Sequence, residues 1–564
     1  MKCTGSRIVI ECLRENNVDT VFGYPGGAIL PLYDALRDAP LRHILTVHEQ
    51  GAAHAADGYA RASGKVGVCI ATSGPGATNL VTGLATAYMD SVPVVAITGQ
   101  VGTPLLGRDA FQGVDVTGVT MPITKHNILV RDIHELAELI REAFAIAREG
   151  RPGPVLIDIP RDILTAECEF LSQTKPLQYS GNSFATPDTL IFQQAADLIR
   201  TAKQPVMIVG GGVKAGKSYE NAIKFAELCN LPVVSTLMGL GIFNTENRQF
   251  LGLTGMHGKR PANQAVSNAD LIIAVGTRFS DRVTGDRSQY VNGKTIIQFD
   301  IDAGEVGRNI AANLEFIGNL DMNLASLTQE LSKTVPLRFP AWWNQIDQWR
   351  NEAYEHTNDE SLNPKWIMQH MSQATATNPV IWTTDVGQHQ MWAAQHLSVN
   401  QPRSWITSGG MGTMGFGLPA AMGAQLACPG TQVVAICGDG GFKMTGMELY
   451  TIASNNIPVI CVIIDNHMLG MVRQLQYVFC EERYMSVSLP PFDFVGFARI
   501  CGVRAQSANT PSEFAAAFAR ALSHPGPSVI VADIAANLMV DPMVQPGQSI
   551  DQFVEFKPAQ EEVA

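Results

Sequence analysis

The stretch QVVAICGDGG occupies residues 432–441 and joins a run of apolar residues to an acid between glycines. The apolar run predicts a β-strand, and Asp439 then lies at the carboxyl end of that strand. A second apolar run, residues 457–464, leads to Asn466 in the same way. Ligands of open α/β sheets bind at the carboxyl ends of strands, and a carboxylate with an amide oxygen suits Mg²⁺ that also binds phosphate. From the motif alone, a glycine-rich turn around Asp439 is an equally good interpretation.

Length and composition are typical of a large, compact α/β protein. The 564 residues predict about three or four domains, and only 16% of the residues are charged. A net charge of -12 argues against nucleic acid as a partner, and no apolar run reaches the length of a membrane span. The polar N-terminus and ten scattered cysteines without a CxxC motif predict a cytoplasmic protein without disulfides.

Strand and helix patterns alternate along most of the chain, which predicts parallel sheets built from βαβ units. We therefore expect an α/β protein with three doubly wound parallel-sheet domains. Their predicted bounds are 1–171, 188–336 and 361–540, followed by a C-terminal arm over 541–564. The segment 172–187 is rich in Ser, Pro, Gln and Gly without periodicity, and this composition predicts a linker.

Glu49 follows a predicted strand over 44–47 and precedes a predicted helix over 51–62 that is rich in alanine and glycine. A carboxyl group beside so many small apolar residues would be partly desolvated, which suits it to exchange a proton near neutral pH. A solvated acid that is stabilised by the helix dipole is the simpler alternative. Glu49 alone does not decide between the two.

Three predicted strands in the middle of the chain each end at glycines or at an acid. The strands are predicted over 205–209, 271–275 and 296–299, and the residues after them are Gly210, Gly211, Gly276 and Asp300. A dinucleotide laid across a sheet edge requires such a pattern. Because no complete GxGxxG motif is present, a structural domain without a cofactor explains the pattern about as well.

Three further segments are informative because of their order and spacing along the chain. They are VFGYPGG at 21–27, HEQGA at 48–52 and ATSGPGATN at 71–79. Together with the GDG motif and Asn466, they resemble thiamine diphosphate enzymes, specifically the acetohydroxyacid synthase (acetolactate synthase) family. The resemblance covers essentially the whole chain and implies the pyruvate oxidase- and decarboxylase-like architecture of a pyrimidine-binding, an FAD-binding-like and a diphosphate- and Mg²⁺-binding domain. The implied cofactors are thiamine diphosphate, Mg²⁺ and FAD.

The resemblance also implies roles for individual residues. Glu49 would protonate N1′ of the aminopyrimidine, and the other catalytic positions are Gly27, Phe111 and Gln112. The metal positions are Asp439, Asn466 and Met468, and the substrate positions are Arg161, Arg278, Met471 and Leu475. The cofactor-binding positions are Pro75, Asn79, Gly210, Gly211, Met256, His257, Gly276, Arg278, Asp300, Gln388, His389, Met414, Gly438, Gly440 and Met471.

Three residues depart from the pattern that members of this family usually show. Arg161 stands where a lysine is common, which replaces a flexible ammonium with a planar guanidinium. Asn319 stands where an aspartate is frequent in the FAD-binding domain. Leu475 stands where biosynthetic members have a tryptophan that favours 2-oxobutyrate over pyruvate. One methylene group in an apolar pocket changes the discrimination between two substrates by about 1 to 3 kcal/mol. Loss of the tryptophan ring should therefore weaken the preference for 2-oxobutyrate.

The resemblance implies acetolactate synthesis as the function. Pyruvate would be decarboxylated on thiamine diphosphate, and the hydroxyethyl carbanion would attack pyruvate or 2-oxobutyrate, in branched-chain amino acid biosynthesis. A pyruvate oxidase-type enzyme with the same cofactors is the alternative, whereas an inactive paralogue should have lost Glu49 or Asp439. Active sites of this family lie between subunits, so the resemblance implies a homodimer or homotetramer. Whether a small regulatory subunit binds is left open.

Overall fold

The computed structural model describes residues 2–177, 188–333, 337–353 and 361–556. Within these ranges the chain forms three parallel sheets of six strands, each flanked by helices. The predicted α/β class with three parallel sheets is therefore confirmed. Most of the predicted linker and the end of the predicted arm, residues 178–187 and 557–564, lie outside the described residues. The predicted domain bounds stay predictions.

The first sheet lies in the N-terminal region. The strands there are β1 (Lys2–Thr4), β2 (Thr20–Gly23), β3 (Arg42–Leu45), β4 (Gly67–Ala71), β5 (Val94–Gln100), β6 (His126–Leu129), β7 (Val155–Pro160) and β8 (Glu167–Glu169). The helices are α1 (Gly5–Glu15), α2 (Leu30–Arg37), α3 (Glu49–Ser63), α4 (Pro75–Asn79), α5 (Val81–Met89), α6 (Val116–Thr120), α7 (Ile133–Arg148) and α8 (Arg161–Thr165). The sheet order is β3-β2-β4-β5-β7-β6. β1 and β8 pair antiparallel, which joins the two ends of this region.

The second sheet lies in the middle region. Its strands are β9 (Pro205–Val209), β10 (Val233–Ser235), β11 (Phe250–Leu253), β12 (Leu271–Val275), β13 (Thr295–Asp300) and β14 (Leu314–Ile317), in the order β11-β10-β9-β12-β13-β14. The helices are α9 (Thr189–Thr201), α10 (Gly211–Ala215), α11 (Tyr219–Leu228), α12 (Arg260–Ser267), α13 (Asp281–Thr284), α14 (Arg287–Val291), α15 (Leu320–Leu331) and α16 (Pro340–Glu352).

The third sheet lies in the C-terminal region. Its strands are β15 (Val380–Thr384), β16 (Trp405–Ile406), β17 (Gln432–Gly438), β18 (Val459–Asp465), β19 (Arg504–Ala508) and β20 (Ser528–Asp533), in the order β16-β15-β17-β18-β20-β19. The helices are α17 (Pro364–Ala374), α18 (Gln388–His396), α19 (Gly417–Ala427), α20 (Asp439–Thr445), α21 (Glu448–Ser454), α22 (Gly470–Phe479), α23 (Phe494–Ile500) and α24 (Pro511–Leu522).

The strands β17 and β18 are buried along almost their whole length. This burial is expected of inner strands in a parallel sheet that helices cover on both faces. β18 begins at Val459, two residues later than predicted, because Pro458 has no N–H to donate to a neighbouring strand.

The chain leaves β3 earlier than predicted. β3 ends at Leu45, because the N–H groups of Val47 and His48 donate to the Glu448 carboxylate rather than to a strand. α3 then begins at Glu49, two residues earlier than predicted. His48 Nδ1 accepts a hydrogen bond from the backbone N–H of residue 50 and so caps the helix.

Helices α3 and α19 join the N-terminal and C-terminal regions through small residues. Gly58 of α3 lies against the backbone of Ala420, and Gly423 of α19 lies against the backbone of Ala55. Neither glycine leaves room for a side chain, because a methyl group would overlap the facing carbonyl oxygen. The two helix backbones are therefore in direct contact.

Arg61 adds charged contacts to this junction. Its guanidinium pairs with Asp57 at 2.5 Å and with Asp90 at 3.0 Å, and both carboxylate side chains are shielded from solvent. It also donates to the carbonyl oxygen of Thr407 in the C-terminal region. Removing one partner from a buried ionic network costs about 3 to 5 kcal/mol. The junction therefore depends on charge as well as on close packing.

The segment after β20 returns to the middle region. The N–H of Val544 donates to the carbonyl oxygen of Met256 at 2.7 Å, and the N–H of Asp286 donates to that of Gln548 at 3.0 Å. Part of the predicted arm thus packs on the middle sheet. In the part of the chain that the structure describes, no helix is both long and apolar enough to cross a membrane.

Gly423→Ala should weaken the contact between α3 and α19. The added methyl group would overlap the carbonyl oxygen of Ala55, so the helices must move apart. We expect the free energy of unfolding, measured by urea denaturation, to fall by about 1 to 3 kcal/mol. Gly430→Ala is the matched control, because a methyl group there meets open space. Equal losses in the two variants would contradict the packing argument.

Candidate active site

Asp439 and Asn466 leave the third sheet at the same edge. Asp439 is the first residue of α20 and directly follows β17, while Asn466 directly follows β18. The two strands are parallel neighbours, with Gly438 paired to Ile464. Both side chains are buried, so this edge holds two polar groups that are shielded from solvent.

The Asp439 carboxyl group fits a cation. Its Oδ2 atom is buried and has no hydrogen-bond partner among the described residues. Burial and the neighbouring Asp465 raise the pKa of Asp439 to about 7, and a bound cation would oppose both effects. The described ranges contain no cluster of three His, Cys, Asp or Glu side chains that could hold a metal. A metal here would rely on Asp439, the Asn466 amide oxygen and a main-chain oxygen such as that of Met468.

Two glutamines orient Asn466. Its Nδ2 group donates to Gln388 Oε1 at 3.1 Å, and Gln388 Nε2 donates to Gln474 Oε1 at 2.9 Å. Gln474 Nε2 then donates to the carbonyl oxygen of Val540 at 2.9 Å. Sequence reasoning missed Gln474, because its partner lies 66 residues away. The available signal was a glutamine between the apolar residues of an amphipathic helix.

Glycines and an unpartnered histidine nitrogen surround the Asp439 edge. A methyl group at Gly438 would lie 2.7 Å from His389 Nδ1, and one at Gly440 would lie 2.6 Å from the Leu469 side chain and 3.6 Å from that of Met414. His389 Nε2 is buried and has no hydrogen-bond partner in the described chain. Burial lowers the pKa of His389 to about 3, so the ring is neutral. A ligand that offers a polar atom would satisfy this nitrogen.

Glu49 belongs to a second polar cluster, in the N-terminal region. It is the first residue of α3 and is only 8% exposed. Its Oε2 atom accepts a hydrogen bond from Asn79 Nδ2 at 2.9 Å, and its Oε1 atom lies beside Gly76. Pro75 and Asn79 are the two ends of α4. One carboxylate oxygen is thus fixed, and the other has no hydrogen bond from a described residue.

Phe111 and Gln112 lie on the long loop between β5 and α6. Phe111 is 88% exposed. Gln112 has a left-handed backbone with φ of 59°, which is uncommon for a residue with a side chain. A methyl group at Gly74 would lie 2.8 Å from Gln112 Cβ, so this glycine lets the loop approach α4. Gly27 begins a 3₁₀ turn and has open space beside it.

The Glu49 cluster and the Asp439 cluster are separate within one chain. No hydrogen bond between described residues links them directly. The nearest connection is Glu448 of α21, whose Oε1 atom accepts hydrogen bonds from the N–H groups of Val47 and His48 at 3.1 Å each. The structure therefore brings the predicted residues together as two half-sites.

The residues predicted for a nucleotide lie at the carboxyl edge of the middle sheet. Gly210 lies against the backbone of Gly276, whose φ is 60°, so both positions require glycine. Burial raises the pKa of Asp300, the last residue of β13. His257 is buried with Nδ1 unpartnered among the described residues, and burial lowers its pKa to about 4. An unpartnered histidine nitrogen beside glycine backbone fits a polar cofactor.

Other residues of this edge have visible structural contacts. Gly211 is the first residue of α10. The Met256 sulfur accepts a hydrogen bond from Arg282 Nη1 at 3.2 Å. Asn319 caps α15, because its Oδ1 atom accepts a hydrogen bond from the N–H of Met322 at 3.0 Å. An aspartate would cap the helix equally well, so this departure from the family pattern preserves the local fold.

The predicted substrate residues occupy three places. Arg278 follows β12, and its guanidinium has no hydrogen-bond partner among the described residues. Burial and nearby Arg151 lower the pKa of Arg278, which leaves its charge incompletely balanced. Arg161 is exposed at the start of α8. Met471 and Leu475 are one helical turn apart on α22 and therefore share a face.

Three models of thiamine pyrophosphate (thiamine diphosphate) enzymes match the chain. The N-terminal TPP binding domain matches residues 3–119, the central domain matches 192–327, and the C-terminal TPP binding domain matches 385–532. The Glu49 cluster falls in the first match and the Asp439 cluster in the last. The two TPP binding models thus coincide with the two half-sites.

Acetolactate synthases align with nearly the whole chain. The acetolactate synthase of Mycobacterium bovis is 46% identical over 565 residues, which cover 98% of this chain and 91% of the relative. The acetolactate synthase isozyme 2 large subunit of Escherichia coli is 44% identical over 555 residues, which cover 98% and 99%. These matches favour the synthase over the oxidase-type alternative. The chain therefore belongs to the acetolactate synthase family of thiamine pyrophosphate enzymes.

Proposed function

We propose that this chain decarboxylates pyruvate and joins the remaining two-carbon unit to a second 2-oxo acid. The product would be 2-acetolactate from pyruvate or 2-aceto-2-hydroxybutyrate from 2-oxobutyrate, within branched-chain amino acid biosynthesis. The observation that carries the proposal is the pair of buried half-sites at Glu49 and Asp439, each inside a match to a TPP binding domain. The names of the relatives support the reaction class.

Glu49 would hold a proton on the aminopyrimidine ring of thiamine diphosphate. Asn79 fixes its Oε2 atom, while the Oε1 atom beside Gly76 stays available for the ring. The small residues of α3 keep bulk water from this carboxyl group, which favours proton transfer to a bound ligand. When bound, thiamine diphosphate supplies a thiazolium that accepts an electron pair as carbon dioxide leaves.

The Asp439 half-site would hold Mg²⁺ and the diphosphate. Asp439 Oδ2 lacks a partner among the described residues, and Gln388 holds Asn466 in one orientation. The main-chain oxygen of Met468 would complete the protein ligands, because Mg²⁺ usually keeps several positions for phosphate and water. His389 would border the diphosphate, and Met414, beside Gly440, would pack against the cofactor.

The middle region would hold FAD. The residues proposed to contact it are Gly210, Gly211, Met256, His257, Gly276, Arg278 and Asp300. The close backbone contact of Gly210 with Gly276 and the unpartnered His257 nitrogen support this assignment. Joining two 2-oxo acids with loss of carbon dioxide is neutral in oxidation state, so the reaction itself requires no flavin redox step.

Arg278 would bind the carboxylate of the second 2-oxo acid. Its incompletely balanced guanidinium suits a two-point contact with a carboxylate. Phe111 and Gln112 would border the reacting carbonyl, and Arg161 would lie near the entrance. Leu475 shares a helix face with Met471 and would leave the acceptor pocket wider than an indole would.

We infer that the complete active site forms between two copies of the chain. Among the described residues, no hydrogen bond joins the two half-sites directly, and exposed apolar side chains lie near both. They are Phe111 and Met121 on one side, and Met444, Met447 and Tyr450 on the other. Exposed apolar patches on soluble proteins often mark contacts with another protein chain. A homodimer or homotetramer would cover these side chains.

The cysteines favour a reducing compartment. All ten are free, and free thiols persist in the cytosol, where disulfides are rare. We therefore propose a cytoplasmic location.

Glu49→Gln should abolish carboligation without preventing cofactor binding. The amide cannot exchange a proton with the aminopyrimidine, so carbon dioxide release from pyruvate should fall about 10² to 10⁴-fold. Thiamine diphosphate binding, measured by calorimetry, should persist because the side-chain shape is unchanged. Glu135→Gln, at an exposed acid in the first turn of α7, is the matched control and should keep its activity. Near-normal turnover of Glu49→Gln would contradict the assignment.

Leu475→Trp should raise the preference for 2-oxobutyrate. With equal pyruvate and 2-oxobutyrate, we expect the native chain to give a product ratio near unity or in favour of acetolactate. The indole should shift that ratio about tenfold towards 2-aceto-2-hydroxybutyrate, because it narrows the pocket. Tyr477→Trp is the matched control, since two residues rotate about 200° around α22 and place this indole on the opposite side. A strong preference of the native chain for 2-oxobutyrate would show that Leu475 does not leave the acceptor pocket open.

Met447→Lys should dissociate the assembly and remove activity. This side chain is 53% exposed, and a charge there would be buried if a second copy covers it. Sedimentation should show a shift towards monomer, together with a loss of activity that high protein concentration restores in part. Ile500→Lys is the control, because Ile500 is 88% exposed at the end of α23. A monodisperse native monomer with full activity would rule out the shared site.

A further inference from the structure

The loop of residues 101–115 joins β5 to α6 and has no buried residue. It nevertheless carries Phe111 and Gln112, the residues proposed to border the reacting carbonyl. The loop contains the short 3₁₀ turn Thr103–Leu105, and loops with few buried apolar contacts open easily. Val114 packs against the hydrophobic core near the far end of the loop, so apolar packing holds that end and polar contacts must hold the rest.

Gln100, the last residue of β5, closes the base of this loop. Its Nε2 group donates to the carbonyl oxygen of Val114 at 2.9 Å, and its Oε1 atom accepts from the N–H of Val101 at 2.9 Å. One side chain thus bonds the first residue of the loop and a residue at its far end. Gln100 is only 3% exposed, so water cannot readily replace these bonds.

Asp158 of β7 determines the orientation of the Gln100 amide. Its Oδ2 atom accepts from Gln100 Nε2 at 2.8 Å, and its Oδ1 atom accepts from Thr98 Oγ1 at 2.7 Å. Asp158 is 1% exposed, and the partners of its carboxyl group among the described residues are the neutral donors Thr98 and Gln100. Gln100 Nε2 carries two hydrogens and donates to both Asp158 and the Val114 carbonyl, which leaves the Gln100 oxygen facing Val101.

A second tether acts at the start of the loop. Asp162 Oδ1 accepts from the N–H of Thr103 at 2.9 Å, and Asp162 Oδ2 accepts from Thr103 Oγ1 at 2.5 Å. Gln112 in turn packs on Gly74 beside α4. Among the side-chain hydrogen bonds of the described residues, those of Gln100 join both ends of the loop, so their loss should free the segment that carries Phe111.

We propose that Gln100 and Asp158 are positioning residues that hold Phe111 and Gln112 for attack on the second 2-oxo acid. This inference rests on the proposed function. No hydrogen bond between described residues joins Gln100 or Asp158 to Glu49 or Asp439. Their loss should therefore spare decarboxylation and impair the joining step.

The chemical consequence is a change in the fate of the two-carbon unit. In the joining step, the two-carbon unit would form a carbon–carbon bond with the carbonyl carbon of the second 2-oxo acid. With a badly placed acceptor, it would take up a proton instead, and its bond to the cofactor would break to release acetaldehyde. Each pyruvate then gives one acetaldehyde and one carbon dioxide and consumes one proton, so no further reactant is needed.

The test compares product partition in the native enzyme and in Gln100→Leu. We expect the acetaldehyde fraction of consumed pyruvate to rise at least about fivefold, and the KM for the second 2-oxo acid to rise, while carbon dioxide release stays within about twofold. Asp158→Asn should keep the native partition, because an amide oxygen still accepts from Gln100 Nε2. Thr98→Val, which removes only the other partner of Asp158, should lower thermal stability without changing the partition.

The possible outcomes separate the two proposals. If the native enzyme forms no carboligation product, the proposed function fails, whatever Gln100 does. If the native enzyme forms acetolactate and folded Gln100→Leu keeps the native partition, the positioning role fails. Gln100→Met, with a side chain of similar length, replaces Gln100→Leu if the latter does not fold. If the acetaldehyde fraction rose equally in Thr98→Val, the effect of Gln100 would be purely structural. That result would overturn the inference.

Discussion

Parallel strands end at the same edge of their sheet, and the candidate site depends on this constraint. It brings the turn after β17 beside the turn after β18, so that residues distant in sequence meet at one edge. The same constraint brings the end of β5 beside the end of β7 in the first sheet, where Gln100 meets Asp158. The chemistry of the chain is therefore concentrated at strand ends, and the helices and strand interiors supply rigidity.

Local patterns predicted much of the fold. The strands β9 and β12 have the predicted bounds, because each apolar run stops at a glycine, and β13 is only one residue longer at each end. The end of β3 could not be predicted, because Glu448, some 400 residues away, binds the backbone there. The residues that line each half-site were visible in short motifs. The side chains that hold them, such as Gln474 and Gln100, act through distant partners that no local pattern reveals.

Buried acids in this chain fall into two groups that differ in their partners. Asp57 and Asp90 face Arg61, and their charges stabilise the junction between regions. Asp439 and Asp158 form no ion pair with a cation among the described residues, and burial raises the pKa of each to about 7. A buried acid without a cation is costly unless a ligand or a positioned donor compensates for it. Two neutral donors compensate Asp158, whereas a bound cation would compensate Asp439 in the proposed site.

The pairing of β1 with β8 has a consequence for synthesis on the ribosome. The first sheet has all its strands once Glu169 has been made, and N-terminal units generally fold first during translation. The helix that packs on α3, however, comes only at Gly417–Ala427. Until then the glycine- and alanine-rich face of α3 has no α19 to cover it. A nascent chain of this protein must carry that uncovered face for as long as the entire middle region takes to be translated.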